Sequence, residues 1–208
     1  MKITFYGVRG SIPSPGYDTC RYGGNTSCVH IETASGQDLV LDAGTGIRNL
    51  GKRLIEKDSP INIFLSHGHW DHIQGYPFFM PIYQPARQIR VYTTAADGHE
   101  QICALFDQID GANFPVKATE LPSQSECITE NFEAELASQD ISVRRIPINH
   151  PGGGYAYRIE EPASGQISMR EYGNRAPENG YHRAISALPE GDFQSRHKES
   201  GSCATCQV

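Results

Sequence analysis

The stretch SHGHWDHIQG, residues 66–75, concentrates metal-binding side chains within six positions: His67, His69, Asp71 and His72. The short segment 61–65 precedes it, and its apolar, β-branched and aromatic composition predicts a buried strand. The histidines would then lie at the carboxyl end of that strand, where α/β proteins place their chemistry. Since alternate residues of an extended chain share a side, His67 and His69 can converge on one metal ion. The pair that follows, Asp71 and His72, can approach a second ion.

A polar loop that merely happens to be rich in histidine is the alternative interpretation. The chain has 8 histidines, and three of them fall in this one loop together with an aspartate. This concentration favours a metal site.

Composition and charge exclude several classes of protein. The 208 residues are enough for one domain with its own core. The net charge is −6 and no stretch is densely basic, which argues against a general nucleic-acid scaffold. No apolar segment approaches the ~20 residues of a membrane span. Residues 1–7 lack the pattern of a signal peptide, so we expect a cytoplasmic protein whose cysteines are free thiols.

Hydrophobic periodicity predicts an α/β protein with many short strands. The predicted strands are residues 2–7, 28–32, 39–41, 61–65, 89–93, 141–148 and 155–159. The predicted helices are residues 47–57 and 97–109, with a short helix and loop at 76–84. Residues 111–140 carry only a weak pattern.

Two polar residues outside the histidine stretch also follow predicted strands. Asp42, in the segment Leu-Asp-Ala-Gly, either caps the next element or orients a metal ligand from behind. His150 precedes three glycines and is the natural third ligand for the first metal, or else a hydrogen-bonding turn residue. His30, by contrast, is expected to be a strand residue without a ligand role.

The long Gly/Pro/Ser-rich segment 7–27 has the composition of a functional loop. Among other polar residues it carries Arg9, Arg21 and Tyr22, which suit binding of an anion. No single residue here is assigned to substrate binding, because a plain surface loop is an equally good interpretation.

The order of these residues resembles the metallo-β-lactamase superfamily. The likeness rests on His67-x-His69-x-Asp71-His72, on the strand–Asp–Gly element at 41–44 and on the later His150. The opening segments GVRGSIP (7–13) and YGGNTS (22–27) are similar to the phosphodiesterase-type hydrolases near ribonuclease Z and the cyclic-nucleotide phosphodiesterases. The resemblance covers roughly residues 1–160.

The resemblance implies an α/β fold, a four-layer αββα sandwich with the metals at one edge of its two sheets. His67, His69 and His150 would hold the first metal, and Asp71 and His72 would contribute to the second. Asp42 would orient the ligands. The implied cofactor is one or two Zn²⁺ ions, with Mn²⁺ or Fe as alternatives.

The implied activity is metal-dependent hydrolysis, foremost of a phosphodiester by a metal-bound hydroxide, with Asp71 as the catalytic residue that orients the nucleophile. The substrate would be a small molecule or another phosphodiester. Two alternatives stand beside it: a metal-binding member with impaired catalysis, and a hydrolase of thioester or lactam bonds on the same metals, since fold does not determine substrate.

The C-terminal part departs from the superfamily pattern, which calls for a bridging aspartate and a final histidine. The only later aspartate, Asp192, follows no strand, and His182 and His197 lie in polar surroundings. We therefore expect a domain at 1–165, a polar and largely irregular tail at 166–208, and about one tightly held metal ion per chain.

Three explanations would account for this departure. The favoured explanation is a truncated or frameshifted member of the superfamily, whose tail does not belong to the fold. Alternatively, the tail supplies substitute ligands, among them the Cys203-x-x-Cys206 pair or the late histidines. In the third, the site is completed across a homodimer.

Overall fold

The computed structural model describes residues 1–93, 104–129, 136 and 141–161, and the backbone of 165–169. The strands within these residues are β1 (Lys2–Gly7), β2 (Cys28–Glu32), β3 (Asp38–Leu41), β4 (Ile61–Phe64), β5 (Gln88–Tyr92), β6 (Gln124–Ile128), β7 (Ser142–Pro147), β8 (Tyr155–Glu161) and β9 (Gly165–Met169). The helices are α1 (Ile47–Leu54) and α2 (Trp70–Ile73), with 3₁₀ turns at Tyr17–Thr19, Tyr76–Phe78, Met80–Tyr83 and Ala118–Glu120. None of the described helices is long and apolar enough to cross a membrane.

Strands β1 to β6 form one sheet in sequence order, and β7 to β9 form a second. The first three strands pair antiparallel, whereas β3, β4, β5 and β6 run parallel. Parallel neighbours require a crossover, and α1 supplies the one between β3 and β4. Since Leu41 pairs with Phe64, both strands end at the same sheet edge.

Side-chain alternation divides the core into two layers. On one face of the larger sheet, Val40, Ile61 and Ile63 pack with the buried residues of α1. On the other face, Phe64 stacks on Tyr92 at 4.7 Å and meets Tyr157 of β8 edge-on at 5.5 Å. The smaller sheet therefore covers the face opposite α1, which is the two-sheet arrangement that the superfamily resemblance implies.

All seven strands that the sequence pattern predicts are present, but two further strands were missed. Strand β6 lies within the weakly patterned segment 111–140. It was missed because it is an edge strand whose residues are half-buried or exposed, which leaves no alternating pattern in the sequence. Strand β9 pairs with β8 and includes residues 166–169, so these four residues of the tail that was predicted to be largely irregular lie in a strand.

The helix predictions needed adjustment. The helix predicted at 47–57 ends at Leu54, and the helix at 76–84 is two 3₁₀ turns, each with a proline in its first turn. Of the helix predicted at 97–109, only the helical residues 104–107 and the two that follow them are described.

Candidate metal centre

Three histidine rings converge at the carboxyl ends of β3 and β4. One ring nitrogen each of His67, His69 and His150 lies within 4.8 Å of the others. The Nδ1 atom of His69 is 3.0 Å from Nε2 of His67 and 3.1 Å from Nε2 of His150. His67 is buried, whereas His69 is exposed and His150 is half-buried, so the cluster opens to solvent on one side.

The end of β4 and the start of α2 position the first two histidines. The chain leaves β4 at Phe64, and His69 keeps an extended backbone as the residue that precedes the first turn of α2. The amide of His72 donates to the carbonyl of His69, and the amide of Ala43 donates to the carbonyl of His72 at 2.7 Å. These bonds hold the histidine stretch against the end of β3.

The turn between β7 and β8 brings in the third histidine. The amide of Gly153 donates to the carbonyl of His150, and Gly152 and Gly153 have φ angles of 82° and 79°. This left-handed conformation favours glycine, which explains the glycine run after the histidine. The amide of Tyr155 donates to the carbonyl of Ser66 at 2.8 Å, so the turn is joined directly to the histidine stretch.

Asp42 lies behind the cluster and accepts hydrogen bonds from residues around it. Its Oδ1 accepts the amide of Ser66 at 2.8 Å. Its Oδ2 accepts the hydroxyls of Ser66 and Ser27 and lies 2.7 Å from Nδ1 of His72. The Ser66 hydroxyl is also 3.0 Å from Nδ1 of His67. Asp42 thus connects both halves of the predicted site, whereas its alternative role as a helix cap is not seen.

The charge states of these groups suit metal binding. Burial, with the nearby charge of His72, lowers the pKa of His67 to about 3, so its imidazole is neutral at neutral pH. Burial opposes ionisation of Asp42, but the charge and hydrogen bond of His72 outweigh it and lower the pKa of that carboxyl. Neutral imidazoles are ligands for zinc-type ions, and a carboxylate behind them orients the rings.

The predicted second pair lies beside the cluster. The Oδ2 atom of Asp71 is 3.5 Å from Nε2 of His72 and accepts the amide of Ser11 at 2.7 Å. The ring of His72 is 4.0 Å from that of His67, measured between centroids. The bond from Ser11 spans 60 positions of the sequence, and no local signal predicts it.

The remaining candidates make other contacts or lie outside the described residues. Arg9 pairs through its backbone with Thr26, and the Arg21 guanidinium lies 5.1 Å above the ring of Tyr22. The predictions for the tail, which concern Asp192, His182, His197 and the cysteines at 203 and 206, lie outside the described residues. Ser66 and Ser27 donate hydrogen bonds to Asp42, but the sequence pattern did not identify them as site residues. The position of Ser66 at the start of the histidine stretch was the one available signal.

The chain is similar in sequence and in fold to known proteins. A model of the Beta-lactamase superfamily domain matches residues 37–169. Ribonuclease Z of Staphylococcus carnosus is 27% identical over 182 residues, which cover 83% of this chain and 55% of the relative. Ribonuclease Z of Haloarcula marismortui is 26% identical over 166 residues, or 77% and 48% of the two chains. The chain therefore spans about half the length of these curated relatives.

Among solved structures, the metallo-beta-lactamase fold protein YhfI from Bacillus subtilis superimposes with a TM-score of 0.53 at 18% identity. The match covers 79% of this chain and 59% of YhfI, and at this identity it shows the fold alone. The superfamily model covers more than half of the chain. By its fold and its sequence, the chain belongs to the β-lactamase superfamily, with relatives among the ribonuclease Z proteins.

Proposed function

We propose that the protein is a metal-dependent hydrolase of phosphodiester bonds. The observation that carries this proposal is the convergence of three histidine nitrogens within 4.8 Å, with Asp71 and His72 adjacent. Both curated relatives are named as ribonucleases, and RNA is joined by phosphodiester bonds. Their low identity and partial coverage support the bond class without identifying a substrate.

The donor set suits Zn²⁺, for which Mn²⁺ or Fe is an alternative. His67, His69 and His150 would hold one ion, and Asp71 and His72 would hold or help to hold a second. A bound divalent ion supplies a Lewis acid that activates water near neutral pH and neutralises charge on the phosphate.

The protein residues have separate roles in this proposal. Asp71, held by the amide of Ser11, orients the attacking water, whose oxygen forms a new bond to phosphorus as the ester bond breaks. The departing alkoxide takes up the proton that the attacking water gives up and leaves as an alcohol. Asp42 keeps the rings of His67 and His72 in place through Ser66 and its own carboxylate. The exposed side of the cluster, at His69, admits the substrate.

The decisive experiment is turnover of bis(p-nitrophenyl) phosphate with added Zn²⁺ or Mn²⁺. We expect His69→Ala to lower kcat/KM by at least about 100-fold, because the ligand count falls. Lys52→Ala, an exposed change on α1, is the matched control and should retain activity. A panel that also contains a thioester and a lactam identifies the bond. Hydrolysis of either one without phosphodiester turnover would contradict the proposal.

Metal content gives an independent measurement. After dialysis, elemental analysis should find about one tightly held ion per wild-type chain and clearly less in His69→Ala. A metal content that does not change in the variant would show that the ion binds elsewhere.

A further inference from the structure

Helix α2 exposes one large aromatic residue at the edge of the metal centre. Asp71, His72 and Ile73 of this helix are buried, whereas Trp70 is 71% exposed. Trp70 lies directly between His69 and Asp71, so its Cα is ~3.8 Å from the Cα atom of each. An exposed indole beside a proposed catalytic centre offers a planar apolar face to whatever is bound there.

A second exposed apolar side chain is held at the same edge. Ser11 donates its amide to Asp71 at 2.7 Å, and the next residue, Ile12, is 65% exposed. The loop that carries Ile12 is anchored, because the amides of Val8 and Arg9 both donate to the carbonyl of Asn25. Exposed apolar residues therefore adjoin both members of the Ser11–Asp71 hydrogen bond: Ile12 follows Ser11, and Trp70 precedes Asp71.

The same loop carries positive charge in an acidic chain. The whole chain has a net charge of −6, but between residues 8 and 27 the charged residues are Arg9, Asp18 and Arg21, a local net charge of +1. Arg9, Arg21 and Tyr22 are exposed, and Arg21 stacks over Tyr22. Aromatic faces combined with positive charge are how proteins hold the bases and phosphates of nucleotides.

We propose that Trp70 is a specificity-determining residue whose indole stacks on the base of a nucleoside joined to the phosphate at the histidine cluster. This inference rests on the proposed phosphodiesterase function. The ligand is thus a nucleoside phosphodiester in which the base lies on Trp70 and the phosphate lies near His69. Ile12, which follows the Ser11 that is bound to Asp71, would offer a second apolar contact to the same ligand.

Kinetic selectivity tests the stacking directly. The probes are the p-nitrophenyl ester of thymidine 5′-monophosphate and methyl p-nitrophenyl phosphate, which has the same leaving group but no base. We expect the wild type to prefer the thymidine ester. The ratio of the two kcat/KM values should fall roughly 10- to 100-fold in Trp70→Ala, because one base stack is lost.

Two further variants separate stacking from general damage. Trp70→Phe keeps a planar face and should retain most of the ratio, and Phe78→Ala removes another exposed aromatic side chain and should leave the ratio unchanged. An equal ratio in Trp70→Ala and the wild type would overturn the role of Trp70, while phosphodiester turnover itself would still stand.

Fluorescence tests the contact without any turnover, since Trp70 is the single tryptophan of the chain. Thymidine 5′-monophosphate should quench the emission saturably, whereas 2-deoxyribose 5-phosphate, which lacks the base, should have little effect. No quenching, or equal quenching by both compounds, would overturn the proposal. This result is independent of the esterase assay, so a failure of the proposed function and a failure of the stacking site give different outcomes.

Discussion

At the scale of single residues, Asp42 accepts hydrogen bonds from three side chains and one amide around the histidine stretch. Asp42→Asn keeps the size of the side chain and tolerates the φ angle of 62° found at this position. An amide nitrogen cannot accept these bonds, and the charge opposite His72 is lost. We expect a loss of roughly 2 kcal/mol in the free energy of unfolding, measured by chemical denaturation of the metal-free protein.

The same variant should weaken metal binding by about 10- to 100-fold, because the rings of His67 and His72 lose their orienting partner. Competition with a chelator measures this affinity. Wild-type affinity and stability in Asp42→Asn would contradict the role given to the carboxylate.

Ser11 has a φ angle of 69°, which is unusual for a residue other than glycine. In this conformation its amide reaches Asp71. Ser11→Gly should keep or raise stability, whereas Ser11→Val should lose about 1–3 kcal/mol, because a β-branched residue resists the left-handed region. Thermal or urea unfolding of the two variants measures the difference. Equal midpoints would show that this backbone conformation is not retained in solution.

At the scale of elements, α2 has only four residues, too few to be stable in isolation. Hydrogen bonds to the segment after β3 hold it: Ala43 donates to His72, and Gly75 donates back to Ala43 at 2.9 Å. The short helix and the end of β3 therefore form one unit, in which His69, Asp71 and His72 keep their spacing.

Gly75→Ala tests this unit. A Cβ atom at Gly75 would lie 2.1 Å from the carbonyl oxygen of Gly44, a distance that requires the backbone to move. We expect a loss of roughly 2–4 kcal/mol in stability together with a loss of metal binding. Gly16→Ala is the matched control, since a Cβ at Gly16 has no neighbour within 4 Å and its backbone is extended. Similar unfolding midpoints for the two variants would refute the close packing.

At the scale of the whole molecule, a second polar cluster lies at the opposite end of β3 from the histidine cluster. Asp38 is buried, lies 2.8 Å from Nε2 of His30 and accepts bonds from Lys57 and Ser59. His30 is thus a strand residue paired with a carboxylate and lies away from the histidine cluster. This network joins β2 and β3 to the segment that follows α1.

The acid stability of the fold should depend on Asp38. Burial raises its pKa, but bonds from His30 and Lys57 outweigh burial and lower it from 3.8 to about 2. A lowered pKa means that the carboxylate stabilises the fold above about pH 4 and that this contribution is lost as the pH falls towards 2. We expect this carboxylate to contribute about 2 kcal/mol to the free energy of unfolding.

Urea unfolding between pH 5 and 2 measures this contribution. The stability of Asp38→Asn should change less over this range than that of the wild type, by about that amount. The exposed Asp18→Asn variant should follow the wild-type curve. Parallel curves for wild type and Asp38→Asn would contradict the assignment.

The sequence by itself determined seven of the nine described strands and where the metal-capable residues stand relative to them. Buried strands such as β3 and β4 are mostly apolar, and α1 carries apolar residues at helical spacing, so local pattern was enough. The histidine stretch and His150 were recognised for the same reason, because each follows a predicted strand. Strand β6 was missed because an edge strand has no buried face to impose alternation.

Only the tertiary structure decided which of these residues meet. His150 reaches His69 across 81 positions, and Ser11 reaches Asp71 across 60, because the two sheets pack face to face and the long loop folds back on α2. Asp42 is likewise defined by partners on two separate segments, Ser27 before β2 and the histidine stretch that contains Ser66 and His72. Local periodicity reflects the burial of one face of an element, whereas the choice of partner depends on which buried faces pack together. The histidine cluster is a product of that packing.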